Sequence, residues 1–229
     1  MKRADGKPLI HDLYEHPLSG PEIEARSFAA IDTEMGNYSL SQPQWEVARR
    51  LIHTTADFTM AELLSFSVDA FDASREALLA GAKIYADSNM IRSGISVARL
   101  RQINPDYSHE DIFCHVADED VAAQAKEVGL PRSLFAVRKA KEMLHGSIVL
   151  LGNAPVALLE INRLAMEEGI RPALVIGMPV GFIHVLESKE ELLRTGLPYV
   201  VLNGRRGGSP LAVACLHAMC TVASGQVGV

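Results

Sequence analysis

Ser147-Ile148-Val149-Leu150-Leu151-Gly152-Asn153-Ala154-Pro155 is the stretch on which the fold turns. Four consecutive aliphatic residues without alternation read as a strand buried on both faces, and glycine then stops it. The periodic run from Ala154 to Glu168 that follows reads as a helix. Outward from here the same alternation repeats. Before it come a short apolar run at 82–87 (AKIYAD), a strand at 111–117 (DIFCHVA) and helices over DEDVAAQAKEVG and 133–144. After it come strands at 173–177 (ALVIG) and 199–202 (YVVL), a short helix at 189–194 and a closing helix at 209–223. Apolar strands separated by helices imply a doubly wound, mainly parallel α/β sheet of about five strands with helices on both faces. In such sheets ligands bind beyond the carboxyl ends of the strands. The segments there are DSNMIRSGIS, GNAP, GMPVGF and NGRRGGS, where glycine and proline permit tight turns and close approach of backbone to a ligand.

The N-terminal half adds three features. Residues 1–20 carry Gly6, Pro8, Pro17 and Gly20 among charges and read as an irregular arm, leaving 21–229 as a single α/β domain. From Pro21 the pattern is helical, with Ser27 inside the segment. Ser41 and Gln44 outline a capping box for a second helix, and Val47, Ala48, Leu51 and Ile52 give it an apolar stripe. That helix delivers His53 at its C-terminal end, beside carbonyls that favour an imidazolium. A histidine there, with an unperturbed pKa of roughly 6.5, can give or take a proton near neutral pH. DFTMAELLSFSVDAFDASREALLAG contains a helix expected to end at Gly81.

Composition narrows the functional classes. The net charge of -6 speaks against a nucleic-acid partner. Cys114, Cys215 and Cys220 show no CxxC spacing, so neither a disulfide framework nor a zinc site is indicated, and a reducing cytoplasm is the natural location. No apolar run approaches the roughly 20 residues of a membrane helix, and the N-terminus lacks a signal-peptide core. GxGxxG, GxxxxGK[ST] and GxSxG are all absent, and no two histidines stand at i, i+3 or i, i+4, so no metal or cofactor is expected. GRRGGSP at a strand-to-helix junction could cradle a phosphate or carboxylate through backbone N–H groups and Arg205 or Arg206. What remains is a proton-handling histidine with scattered arginines: Arg50, Arg92, Arg99 and Arg132. Together they suit a polyanionic small molecule.

ARSF (25–28), RRLIHTTAD (49–57), MIRSGISVARL (90–100), GLPRS (129–133), GSIVLLGNAPVALLE (146–160), VIGMPVGFIHVLESKEEL (175–192) and NGRRGGSPLAVA (203–214) resemble, in order, the precorrin-8X methylmutase family of corrin biosynthesis. The resemblance implies a doubly wound homodimer with active sites near the subunit interface. It implies a methyl shift from C11 to C12 of an anionic tetrapyrrole, precorrin-8X or its cobalt-containing counterpart, giving hydrogenobyrinate or cobyrinate. It puts the catalytic histidine at His53 and substrate contacts at Ser27 and Arg132; Arg50 and Ser96 are added because they lie in the same motifs. A 1,5-sigmatropic shift needs no nucleophile, redox cofactor or hydrolytic water. Protonation of a ring nitrogen by His53 would help it, Ser27 would hold the histidine or a ring atom, and Arg132 would pair with peripheral carboxylates. Two rival readings are a non-catalytic corrinoid carrier built on the same pocket and a sugar-phosphate enzyme using GRRGGS as its anion cradle.

Overall fold

The computed structural model describes residues 8–225, which divide into two compact units between Ser39 and Leu40. The first unit holds α1 (Ile10–Glu15) and α2 (Gly20–Met35). Ser19 opens α2 with a capping box: its backbone N–H donates to a Glu22 carboxylate oxygen at 2.8 Å, and its hydroxyl accepts the Glu22 N–H at 3.4 Å. Of the arm expected over 1–20, residues 1–7 lie outside the described residues, and Ile10–Glu15 form α1; its six residues bury nothing, so no apolar stripe announces it.

The second unit contains the sheet and the remaining helices: α3 (Gln42–Thr55), α4 (Met60–Leu63), β1 (Leu64–Phe66), α5 (Ala70–Leu79), β2 (Ile84–Ala86), α6 (Asn89–Gly94), α7 (Val97–Arg101), β3 (Ile112–Phe113), α8 (Glu119–Val128), α9 (Arg132–Leu144), β4 (Ile148–Leu151), α10 (Pro155–Glu168), β5 (Leu174–Gly177), α11 (Val185–Leu192), β6 (Tyr199–Leu202) and α12 (Ser209–Ala223). The strand order is β1-β6-β5-β4-β2-β3, parallel throughout except for β1, which runs antiparallel to β6. The five parallel strands, taken alone, have the order of a flavodoxin-like sheet, whose direction of winding reverses between its first and third strands. Here that point lies between β2 and β4.

The sheet therefore has six strands, not about five. The extra one, β1, lies inside the 57–81 stretch from which a helix ending at Gly81 is expected; that helix is α5, and β1 separates it from the short α4. The three residues of β1 are too few for a periodicity, and tertiary bonds hold them: Asn203 N–H donates to Leu63 O at 2.7 Å, and Asn203 Nδ2 to Ser65 Oγ at 2.7 Å. β4 and β5 are buried at every residue, as two-sided coverage requires. One face is covered by α8, α9, α10 and α11, which pack on one another; on the other, α12 packs against α3, α5, α6 and α7.

The sequence of α3 explains its seat. Pro43 stands in the first turn, the capping box at Ser41 and Gln44 is formed, and Trp45, Val47, Ala48, Leu51 and Ile52 are buried. Burial of each large aliphatic side chain contributes roughly 1.5–3 kcal/mol. Glu46 and Arg49 form an ion pair at 2.7 Å that is itself buried. The helix ends at Ala56, whose left-handed φ of 53° turns the chain away.

Candidate active site

A cavity of about 340 Å³ opens where α3, α6 and α12 meet, beyond the carboxyl ends of β2 and β6. α3 contributes Arg50 and Thr54, neighbours one turn apart; the Thr54 hydroxyl donates back to Arg50 O at 2.8 Å. α6 contributes Met90 and Gly94. Gly94 packs closely on α12: a Cβ there would sit 3.2 Å from a Val213 methyl. α12 contributes the face formed by Ser209, Val213 and His217, with Pro210 and Ala214 beside it. The lining mixes apolar residues with a few polar ones, Arg50, Thr54, Ser209 and His217, the usual constitution of a ligand site.

His53 is exposed on the last turn of α3. At about 100° per residue it stands about 60° to one side of Arg50, while Thr54 stands about 40° to the other. The cavity lies toward Arg50 and Thr54, and His53 is not part of its wall.

The rest of this end of the sheet is backbone held by buried polar groups. Asp87, 1% exposed at the end of β2, accepts three N–H bonds on Oδ2, from Gly152 (3.2 Å), Asn153 (2.8 Å) and Ala154 (2.9 Å). It thereby ties the two sides of the winding reversal together and supplies acceptors just ahead of α10, which has no side-chain cap of its own. Burial pushes the Asp87 carboxyl up, and the three N–H groups work against that rise. Gly152 in turn abuts α12: a Cβ there would lie 2.8 Å from backbone atoms of Gly208 and Ser209. The Ser209 hydroxyl shares a hydrogen bond of 2.9 Å with that of Ser88. Lys189, 2% exposed, donates from Nζ to Gly204 O and Arg206 O, both at 2.8 Å, and burial lowers its pKa to about 8. The Gly208 N–H is spent on Met178 O at 2.9 Å. The GRRGGS loop thus turns the carbonyls of Gly204 and Arg206 toward Lys189 and commits the Gly208 N–H to protein. Arg206 pairs with Asp57 and donates to Thr59 Oγ1 at 2.7 Å, bracing the segment after α3. The Thr59 hydroxyl and N–H, followed by Arg206, hold the Asp57 carboxyl below its usual range.

Of the residues expected from sequence, Arg50 lines this cavity, and His53, on the same turn of α3, does not. Ser96 does not line it. Its hydroxyl accepts the Arg99 N–H at 3.4 Å as the N-cap of α7, and its own N–H donates to Nε2 of His217 at 3.0 Å. Arg132 is exposed at the start of α9 and lines a separate cavity of about 590 Å³ with Lys126, Leu130 and Pro131. Ser27 belongs to the first unit, where its hydroxyl donates to Ile23 O at 2.8 Å. His217, Ser209 and Asp87 were not singled out by sequence. The usable signal for the first two was the spacing 209, 213, 217 on one face of α12. Asp87 gave none, because its partners lie 65 to 67 residues away.

The pattern of the precorrin-8X methylmutase family matches residues 22–222 and runs across the division at Ser39. The chain belongs to the precorrin-8X methylmutase family. It is 42% identical to a cobalt-precorrin-8 methylmutase of Leptospira interrogans, over 90% of this chain and 94% of that protein. It is 38% identical to a precorrin-8X methylmutase of Pseudomonas aeruginosa, over 91% and 99%. The crystal structure of a precorrin-8X methylmutase from Thermus thermophilus superposes with a TM-score of 0.81 at 42% identity, covering 90% of this chain and 98% of that one. These relatives of the methylmutase family carry the names of isomerases, which leaves the non-catalytic carrier reading without support.

Proposed function

We propose that the protein moves a methyl group from C11 to C12 of precorrin-8X or cobalt-precorrin-8, yielding hydrogenobyrinate or cobyrinate. The observation that carries this reading is the match to the family over 22–222, combined with a cavity at the carboxyl end of the sheet whose wall includes Arg50, three residues before His53. Ligand cavities run from roughly 300 to 1,000 Å³. At about 340 Å³, this one takes an edge of a macrocycle and not the whole ring. Arg50 then pairs with a peripheral carboxylate inside the cavity, and the remaining ring extends over His53.

In this arrangement His53 gives a proton to a ring nitrogen as the methyl group migrates and recovers it afterwards, so the isomerisation is balanced. The ring becomes more electron-poor, which favours the shift; such proton transfer is typically worth 10² to 10⁴ in rate. Ser27 and Arg132 act as further substrate contacts, as the family resemblance implies. The reaction calls for no cofactor and no nucleic acid.

The working unit in this proposal is a homodimer in the cytoplasm. In support, Val180, Phe182 and Ile183 after β5 are exposed side by side, an apolar patch that a second copy would cover. A shared site would also account for Arg132 lying in a cavity of its own. The three cysteines are free and buried, as a reducing compartment allows, and among the described residues no helix is long and apolar enough to cross a membrane. The test is incubation of the purified protein with each substrate form under visible spectroscopy. Appearance of the corrin chromophore with at least one form is expected; no change with either refutes the assignment.

A further inference from the structure

His217 stands eight residues into the cavity-lining face of α12, across from Arg50. Its Nε2 lies 3.0 Å from the backbone N–H of Ser96, and a backbone N–H can only donate. Nε2 is therefore unprotonated, and the ring is neutral with its proton on Nδ1. The bond joins α12 to the junction between α6 and α7, just beyond the wall formed by Met90 and Gly94. It gives the MIRSGIS segment a use that its serine hydroxyl, committed to capping α7, does not supply.

We propose that His217 is a substrate-contacting specificity residue of this site, a neutral imidazole held in the Nδ1–H tautomer that donates to an oxygen of a peripheral carboxylate of the macrocycle. The proposal rests on the methylmutase reading and gives the cavity a second polar group beside Arg50. The two differ in chemistry. Arg50 brings a charge, whereas His217 brings one directional donor fixed by the main chain, so it discriminates by position and not by net attraction.

The test uses the full chain, ¹⁵N-labelled at histidine, together with the variants His217→Gln and His217→Leu and hydrogenobyrinate as the binding probe. In long-range ¹H–¹⁵N spectra of the free wild type, one histidine shows the Nδ1–H tautomer, and its signals vanish in both variants. His217→Leu weakens hydrogenobyrinate binding by roughly 10- to 100-fold, as expected when a hydrogen bond to a charged group is lost, and raises KM more than it lowers kcat. His217→Gln, whose amide can both accept from Ser96 and donate, recovers at least a tenth of wild-type affinity.

An Nε2–H tautomer or an imidazolium for His217 at neutral pH overturns the proposal, whether or not the variants fold. So does equal affinity in wild type and His217→Leu while wild type still converts substrate; in that case the methylmutase reading stands. Wild type that neither binds hydrogenobyrinate nor converts either substrate form overturns both.

Discussion

His53 and Arg50 divide the work expected of α3 between a proton and a charge. His53→Ala removes the proton donor but leaves the Arg50 cavity, so turnover should fall by roughly 10² to 10⁴ while hydrogenobyrinate binding stays within a few-fold of wild type. Steady-state rates and a spectroscopic titration check the two halves separately, and full activity in the variant would remove the proton role. The place of these two residues on α3 was legible because the capping box and the apolar stripe fix the register of the helix. Once that register is known, the neighbours of the buried stripe at Leu51 and Ile52 follow. Ser96 was misread for the opposite reason. Its motif marks the right place, but whether a serine hydroxyl faces ligand or caps a helix depends on the turn that follows it. His217 stayed hidden because its decisive partner is a backbone N–H 121 residues away.

At the scale of elements, the site is held by close backbone contacts that leave no room for side chains. A Cβ on Gly207 would overlap the Met178 carbonyl oxygen, and both are backbone-anchored. Gly207→Ala should therefore cost at least the roughly 1–3 kcal/mol typical of overpacking, and should displace Ser209 enough to weaken product binding. Urea unfolding and a binding titration on the same preparation measure both. An unchanged midpoint with unchanged affinity would show that the loop is not so constrained. Leu51→Ala tests the seat of α3: a fully buried leucine truncated to alanine should lower stability by roughly 2–5 kcal/mol, read as a shift of the urea midpoint. Sequence read β4, β5, β6, α8, α10 and α12 nearly to their ends because burial on two faces or on one stripe leaves a dense pattern. It missed β1, read α6 as loop and gave α7 no reading, since segments of three to six residues carry too little periodicity and are fixed by bonds to distant partners.

For the molecule as a whole, the topology dictates where chemistry can occur. The winding reverses between β2 and β4, and Asp87 fastens that seam from within. Lys189 fastens the neighbouring loops at a cost that depends on pH. Its folded pKa of about 8 lies below the ordinary 10.5, so protonation is harder in the folded chain than in the unfolded one. The penalty, on the order of 3 kcal/mol, is fully present below pH 8 and fades as the pH rises toward 10.5. Lys189→Met has no such titration, although it leaves the carbonyls of Gly204 and Arg206 without their donor. The stability difference between wild type and Lys189→Met should thus grow in favour of wild type across pH 8 to 10.5. A difference that stays flat would contradict the buried ammonium. The fold class was legible at this scale because alternation of apolar strands and helices runs through most of the chain; the depth of Asp87 and Lys189 was not, since burial of a charge depends on which loops meet.

The most direct test of the account follows the migrating group itself. Substrate carrying ¹³C in the C11 methyl group, supplied with and without cobalt, is incubated with the purified protein and examined by NMR after extraction. The account predicts that the label leaves C11 and appears on C12 in at least one of the two forms, with no net change in mass. A label that remains on C11 in both, with protein shown to be folded, would contradict it.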